Sequence, residues 1–342
     1  MMMNRTVNRA MRGPVLLLAL AWTGTAGAQR PAGPQPARPT LAFVSNERAH
    51  TISVLDVDAG RVVATIPVGG RPRGIRIAPG GRHVYVALSD DAPRAEGSRD
   101  AIAVIEVATR RVVARHPAGS DPEQFDLTPD GTVLYASNED AGTASAVDLR
   151  TGRVRATMIV GIEPEGVAVA PDGRRAYVTA ETSNTVSVID TRTNTVTGNF
   201  LVDARPRAVA VSPDSRRVYV TAEIGGTLTT VDAGTLEPTA TVELDRGEGK
   251  PVGVAVSSDG RRVYVANGRA NSVSVVDAGG TKVLANWPVG RRPWGLAVTH
   301  DGRKVLTANG GSDDVTILDA ATGRVLGTVK VGAGPWGVAI TR

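Results

Sequence analysis

Short apolar runs alternate with polar turns along most of this chain of 342 residues, and the same pattern returns at a nearly constant interval. In one copy, residues 177–179 (Tyr-Val-Thr) follow a Gly-Val-Ala-Val run and precede a Val-Ser-Val-Ile-Asp run. A period near 42 residues with four apolar runs in each copy is typical of a β-propeller blade. The aligned aromatic or apolar position falls at Phe43, Tyr85, Tyr135, Tyr177, Tyr219, Tyr264 and Leu306.

Each period predicts four strands, which we name A to D. Strand A is the Gly-Val-Ala-Val run, and the Pro-Asp-Gly turn at residues 171–173 shows how it connects to strand B. Proline presets φ, aspartate bonds the local backbone and glycine accepts positive φ, so this turn is tight. Strand B is Tyr-Val-Thr and strand C ends in an acidic residue. Strand D follows a Thr-Gly-Arg type of turn, as at residues 151–153. The valine-rich runs favour pleated strands.

Seven copies predict an all-β fold, a seven-bladed propeller with four-stranded antiparallel blades over residues 41–342. The repeats begin with strand B at Leu41, and residues 337–341 form a last strand A that no strand B follows. We therefore expect this C-terminal strand to complete a blade with the N-terminal strands B, C and D. Such closure joins the first and last blades into a ring.

The N-terminal segment resembles a secretory signal rather than part of the propeller. In residues 1–28, three arginines and no acid precede a short apolar core and an Ala-Gly-Ala cleavage site at 26–28. The apolar core is too short to span a membrane. Residues 29–40 are rich in proline and predict an extended linker. These features predict export, a periplasmic or secreted location and no membrane span in the mature chain.

Composition excludes several kinds of chemistry. The whole chain has a net charge of +5, but removing the three signal arginines leaves 36 bases against 34 acids, a net +2. That balance does not predict nucleic-acid binding. The chain has no cysteine, which excludes disulfides, thiolate metal sites and covalent haem attachment. Its four histidines show no metal-binding spacing, and no nucleophile elbow or phosphate loop is present.

Two insertions interrupt the period, residues 90–100 between strands B and C, and residues 245–250 before a strand A. In an up-and-down blade the B–C and D–A connections emerge on the same face. Loops on one face of a repeat protein commonly carry binding. We therefore expect the functional face to be the one that carries both insertions.

One position on that face varies in chemical character from blade to blade. It is the residue directly after the proline that precedes each strand A, and we expect it to face the mouth of the central channel. We call these seven positions the funnel ring. They are Arg73, Glu123, Glu165, Arg207, Val252, Trp294 and Trp336.

The funnel ring predicts a charged wall opposite an aromatic wall, with Trp336 next to Arg73 across the closure. Aromatic side chains with a few convergent polar groups suit a small ligand or a loop of a partner. The alternative is that arginines and glutamates neutralise one another while the tryptophans plug the channel. Carboxylates also suit Ca²⁺, but no Asp-x-Asp-x-Asp loop is present and no metal site is predicted. A second acidic ring is expected just after strand B, at Glu47, Glu139, Glu181 and Glu223.

The repeated text resembles the YVTN family of β-propellers over residues 41–341. A narrower set of segments is similar to the seven-repeat propellers associated with PQQ-dependent catabolism. This resemblance implies a secreted accessory protein that acts beside a quinoprotein dehydrogenase or a transport component, with PQQ as a possible ligand but no covalently bound cofactor. The chain departs from that group in its shorter loop at 245–250 and in its extra loop at 90–100. The similar segments are residues 43–47, 137–140, 160–166, 203–207, 222–227 and 334–337.

Three functions follow as hypotheses. The sequence favours a monomeric periplasmic propeller that binds a ligand or protein linked to quinoprotein alcohol oxidation, and it favours this binding role over catalysis. The first alternative is a lactonase-like hydrolase in which funnel glutamates and arginines act as acid, base and oxyanion groups. The second is a structural protein of the cell envelope. No catalytic residue is assigned from the sequence.

Overall fold

The computed structural model describes residues 39–90 and 99–342. Within these ranges the chain forms 28 strands in seven four-stranded sheets. The predicted signal, the linker up to Arg38 and residues 91–98 of the first insertion lie outside the described residues. No helix in the described part of the chain is long and apolar enough to cross a membrane.

The strands are numbered in chain order. The first fourteen are β1 (Leu41–Asn46), β2 (Thr51–Asp56), β3 (Arg61–Pro67), β4 (Arg71–Ile77), β5 (His83–Ser89), β6 (Ala101–Glu106), β7 (Arg111–His116), β8 (Pro122–Leu127), β9 (Val133–Asn138), β10 (Thr143–Asp148), β11 (Arg153–Ile159), β12 (Pro164–Val169), β13 (Arg175–Ala180) and β14 (Thr185–Asp190). The others are β15 (Thr195–Leu201), β16 (Pro206–Val211), β17 (Arg217–Ala222), β18 (Thr227–Asp232), β19 (Pro238–Glu243), β20 (Pro251–Val256), β21 (Arg262–Asn267), β22 (Ser272–Asp277), β23 (Val283–Pro288), β24 (Pro293–Val298), β25 (Lys304–Asn309), β26 (Asp314–Asp319), β27 (Val325–Lys330) and β28 (Pro335–Ile340). Two short 3₁₀ helices cover Glu139–Ala141 and Asp245–Gly247.

The predicted closure is confirmed. Strand β28 pairs antiparallel with β1, and the sheet order is β28-β1-β2-β3. The other six sheets each take four consecutive strands. The backbone N–H of Leu41 also donates to the Oγ1 of Thr341 at 2.9 Å, which extends the contact beyond the paired residues. The first and last strands of the repeat therefore share one blade.

Strands A of neighbouring blades contact one another around the axis. Their close approach explains why strand A carries a glycine after the funnel residue in five blades. A Cβ on Gly74 would lie 2.8 Å from the backbone oxygen of Glu123 on the next strand A, and one on Gly166 would lie 2.5 Å from that of Arg207. Glycine therefore lets the inner strands pack at this level.

Side-chain hydroxyls on strand B tie four of the seven funnel residues, Arg73, Glu165, Arg207 and Val252, to the blade before them. The Oγ1 of Thr179 donates to the backbone oxygen of Arg207 at 3.2 Å and accepts from the N–H of Gly166 at 2.7 Å. Ser137 makes the same link to the backbone oxygen of Glu165 at 2.6 Å. The hydroxyl residue of the repeated strand B motif thus fixes the backbone at the channel mouth.

Most aspartates outside the funnel are structural. At the end of strand C, Asp190 accepts from the backbone N–H groups of Arg192 and Thr193, and the Thr193 bond holds the pKa of Asp190 below its ordinary value. In the A–B turns, Ser212 donates to Asp214, which lowers the pKa of that carboxyl. These acids stabilise turns, and the candidate site lies on the opposite face of the propeller.

Candidate functional site

The local backbone before strand A turns the funnel residues toward the channel mouth. Strand β12 shows the pattern, because its register with β13 shifts between Pro164 and Val167, so that Glu165 and Gly166 lie outside the regular ladder. The residue before the proline has positive φ in most blades, for example 47° at Asp121. Such conformations are uncommon for residues other than glycine and cluster at functional sites.

One half of the charged wall is centred on Arg73. Its guanidinium contacts Glu123 through Nη1, lies 3.0 Å from Glu47 through Nε and lies 3.6 Å from Glu139 through Nη1. Arg71 adds contacts to Glu47 at 3.6 Å and to Asp121 at 3.5 Å. Each cation here faces more than one carboxylate.

The other half is centred on Arg207, which lies 2.7 Å from Glu165, also contacts Glu181 through Nη1 and lies 3.4 Å from Glu223. Arg205 is 2.7 Å from Glu181 and 3.4 Å from Glu223. The funnel ring and the second acidic ring therefore form two interlocked ion clusters. These contacts agree with the alternative interpretation of the sequence, in which the arginines and glutamates neutralise one another.

The pKa of Glu139 is raised from 4.5 to about 7, first by burial and then by the negative charge of Glu165. The guanidinium of Arg73 opposes that rise. Burial also raises the pKa of Glu165 itself, against the attraction of Arg207. Glu139 starts a 3₁₀ turn that ends at Gly142, whose φ of 64° allows the chain to reverse there. With its side chain 29 % exposed, Glu139 is open to the channel mouth and close to half protonated near neutral pH.

The aromatic wall is also present. The rings of Trp294 and Trp336 are stacked, with centroids 6.2 Å apart and planes 17° apart. Two cations lie over the ring of Trp294, namely Arg207 and Arg292, and neither is Arg73, which follows Trp336 in the order around the ring. Arg207 lies over Trp294, its Cζ 5.2 Å from the ring centroid, while the ion pairs of Arg73 are with Glu47, Glu123 and Glu139. The small Val252 lies between Arg207 and Trp294 in chain order and leaves room for this contact.

A cavity lies against this wall, and we call it the central cavity. It is lined by funnel residues together with Gln124. Gln124 takes the place that glycine holds in five other blades, and it also lines a neighbouring cavity that shares Trp336 with the central cavity. The Oε1 of Gln124 is buried, and no donor among the described residues reaches it. A polar group that is buried without a partner is costly, so this amide is suited to bind a donor in the channel.

Three acids lie close enough together to share a cation, namely Asp121, Glu123 and Glu139, with carboxylate oxygens within 4.8 Å of one another. Arg71 and Arg73 already contact this group. The cluster is therefore balanced by guanidinium groups of the chain itself, and we assign it no metal.

Sequence reasoning missed a third ring, formed by the residue before each proline. Arg71 and Asp121 join the first ion cluster, Arg205 joins the second, and Arg292 places its Cζ 5.1 Å from the ring centroid of Trp294. The sequence does show a sign of this ring, because residue type varies just as widely at the position before each proline as it does in the funnel ring. The full set is Arg71, Asp121, Glu163, Arg205, Lys250, Arg292 and Gly334.

These features define a seven-bladed β-propeller whose channel mouth joins paired arginine–glutamate clusters to a tryptophan stack. The family described as "Lactonase, 7-bladed beta-propeller" matches residues 37–169 and 199–340, and the chain belongs to that family. A comparison with curated proteins finds no match.

Similar solved structures share the fold. A chain of Kuenenia stuttgartiensis hydrazine synthase has 20% identity and a TM-score of 0.72, and the match covers 82% of this chain and 92% of that one. A functionally unknown protein from Desulfotomaculum acetoxidans has 19% identity and a TM-score of 0.73, with 88% and 99% covered. A Bacteroides fragilis protein described as a candidate 6-phosphogluconolactonase has 17% identity and a TM-score of 0.75, with 91% and 100% covered.

Proposed function

We propose that this protein hydrolyses a lactone at the mouth of its channel, with Glu139 as the general base. The observation that carries the proposal is the raised pKa of Glu139, about 7, at a partly exposed position beside Arg73. A general base works best when its pKa lies near the operating pH. Membership of the lactonase family supports this reaction class over the binding role that the sequence favoured.

The reaction needs few parts. Glu139 takes a proton from water as the water oxygen attacks the lactone carbonyl, which forms a tetrahedral oxyanion. A guanidinium donor near that oxygen stabilises the charge, as preorganised donors do at acyl-transfer sites. Among the described residues, Arg73 is the cation that pairs with Glu139, and it fits this role. Collapse of the intermediate breaks the ring C–O bond, and the proton held by Glu139 passes to the leaving alkoxide, which gives a hydroxy acid.

The cavity beside Glu165, Arg207 and the tryptophan pair would hold the rest of the substrate. A pocket lined by aromatic rings with a few polar groups suits a compact ring.

The test is turnover of a lactone panel by wild type, Glu139→Gln and a matched control, Glu47→Gln. Glu47 also contacts Arg73 and is similarly exposed, 25% against 29% for Glu139. We expect wild-type kcat/KM to rise with pH through about 7. Loss of a general base lowers the rate about 10²–10⁴-fold, so Glu139→Gln should lose both the activity and this pH dependence. Glu47→Gln should keep the pH dependence. Equal profiles in all three proteins would rule out Glu139 as the base.

The stacked tryptophans favour a second candidate, a binding module without turnover. A flat anionic quinone such as PQQ would stack on Trp294 and Trp336 beside Arg207. Two of the four tryptophans of the chain belong to this stack, so their fluorescence should report a ligand. Quenching by PQQ in wild type but not in Trp336→Ala, with no lactone turned over, would favour this role and its proposed link to a quinoprotein dehydrogenase or a transport component. A protein that binds neither class of ligand would fit the structural role instead.

Location and assembly belong to the same proposal. Export to the periplasm predicts that the mature chain begins near Gln29, which N-terminal sequencing of a periplasmic fraction would test. Intact Met1 in the cytosol would contradict export. A monomeric mass by light scattering is the expected assembly state.

A further inference from the structure

A second pocket lies beside the tryptophan stack. Unlike the arginines of the ion clusters, its cations have no ion pair with a described carboxylate. Its lining includes Lys250, Arg269, Arg292, Val252 and Trp294. Within the described residues, none of these three cations has a carboxylate oxygen within ion-pairing distance. By contrast, Arg73 and Arg207 each contact three carboxylates.

This pocket adjoins the central cavity, because Val252 and Trp294 line both. The Arg292 guanidinium lies over the ring of Trp294 at 5.1 Å. The one acid in the lining, Glu223, is engaged with Arg205 and Arg207 at 3.4 Å. A ligand ring in the cavity could therefore carry a substituent that reaches the three cations.

The backbone holds the cations in place. Lys250 ends the second insertion with φ of 52°, and its carbonyl accepts from the N–H of Gly268 at 3.0 Å. The N–H of Arg269 donates to the carbonyl of Gly249 at 3.1 Å, which sets Arg269 next to Lys250. The N–H of Arg292 donates to the Oδ1 of Asn271 at 2.8 Å. The insertion thus adds one cation to two that the regular blades supply.

We propose that Lys250, Arg269 and Arg292 form an oxyanion subsite for a carboxylate or phosphate substituent of a ligand whose ring occupies the central cavity. Guanidinium groups match the geometry of carboxylate and phosphate oxygens, and charge-assisted bonds are stronger than neutral ones. The assignment of the ligand as a lactone rests on the proposed function, whereas the binding of an oxyanion does not.

The test compares two lactones that differ only in charge, a lactone that bears a carboxylate and its methyl ester. Wild type should prefer the carboxylate in kcat/KM, and each lost cation should reduce that preference about 10-fold, the lower end for hydrogen bonds to charged groups. The variants are Lys250→Met, Arg292→Gln and the two combined. Arg291→Gln is the control, because Arg291 is an exposed neighbour that does not line the pocket, and it should keep the preference.

Binding of the bare anions gives a second measurement that needs no turnover. Calorimetric titration with inorganic phosphate and with acetate should show binding to wild type that weakens as salt rises and is lost in the double variant. The two titrations also distinguish a phosphate from a carboxylate site.

Each outcome is decisive. Turnover of both lactones without a charge preference would overturn the subsite and leave the proposed hydrolase standing. If the wild-type protein turns over neither lactone but binds phosphate or acetate in a way that depends on Lys250 and Arg292, the subsite is supported and the hydrolase is overturned. Neither anion binding nor charge preference in wild type would overturn the subsite.

Discussion

Replacing Glu139 by glutamine should raise stability and abolish activity at the same pH, and this pairing makes it the most informative substitution. The carboxyl of Glu139 has its pKa raised from 4.5 to about 7 by burial and by the charge of Glu165. At about pH 8 the folded protein must therefore hold a carboxylate that its surroundings disfavour. Glutamine has a similar shape and carries no charge, so it removes that cost.

The magnitude follows from linkage. The folded state binds a proton at Glu139 between pH 4.5 and about 7, whereas the unfolded state has released it, so stability falls as pH rises through this window. A shift from 4.5 to about 7, at about 1.4 kcal/mol per pKa unit, corresponds to roughly 3 kcal/mol. Below pH 4.5 both states are protonated, and wild type and Glu139→Gln should be nearly equally stable.

Urea unfolding of both proteins at about pH 4 and about pH 8 measures the effect. The free energy of unfolding of Glu139→Gln should exceed that of wild type by up to about 3 kcal/mol at the higher pH, with little difference at the lower pH. Glu47→Gln is the control, because it removes a carboxylate from the same Arg73. A glutamine variant that is less stable at about pH 8, or a difference that does not change with pH, would refute the reasoning.

One deletion and two further substitutions test the fold and the channel. Removing residues 334–342 deletes strand β28 with its buried Trp336 and Val338, at about 1.5–3 kcal/mol for each large side chain, so thermal unfolding should begin at clearly lower temperature; an unchanged melting curve would contradict the closure. Gly74→Ala places a Cβ 2.8 Å from a neighbouring backbone oxygen and should destabilise by about 1–3 kcal/mol in urea unfolding, whereas Gly327→Ala, where a Cβ meets nothing within 4 Å, should be close to neutral. Gln124→Leu should reduce selectivity for a hydroxylated lactone over its deoxy analogue about 10-fold in kcat/KM, and an unchanged ratio would show that the amide does not contact the ligand.

The fold could be predicted almost completely from the sequence because every blade repeats the same pattern of apolar runs and turn residues. The period alone located the four strands of each blade, and the missing strand B after residues 337–341 predicted the closure. The funnel position could also be found, because a proline marks it in each copy. These features depend on local spacing, which a single sequence displays directly.

The ion pairs and cation–ring contacts at the channel mouth could not be predicted, because they depend on the directions that long side chains take across the ring. Order around the ring placed Arg73 beside Trp336, yet Arg73 turns to its acidic neighbours and Arg207 reaches Trp294 past the short side chain of Val252. The role of the residues before the prolines could not be predicted, because the sequence shows only a turn at that position. The positive φ of six of these seven residues, as at Lys250, is visible only in the structure.

The ion clusters at the mouth are better explained by chemistry than by stability. Val252 occupies the same backbone position as Arg73 and Arg207, so the propeller does not need a charge there. Buried ion pairs are weak evidence for stability, because desolvation offsets their attraction. Four arginines here face seven carboxyl groups, which leaves an excess of three negative charges if all ionise. This excess favours protonated carboxyls, in agreement with the raised pKa values of Glu139 and Glu165. Glu139, the most exposed of those that contact Arg73, is where this excess becomes available to solvent and substrate. The seven carboxyl groups are Glu47, Asp121, Glu123, Glu139, Glu165, Glu181 and Glu223, and the four arginines are Arg71, Arg73, Arg205 and Arg207.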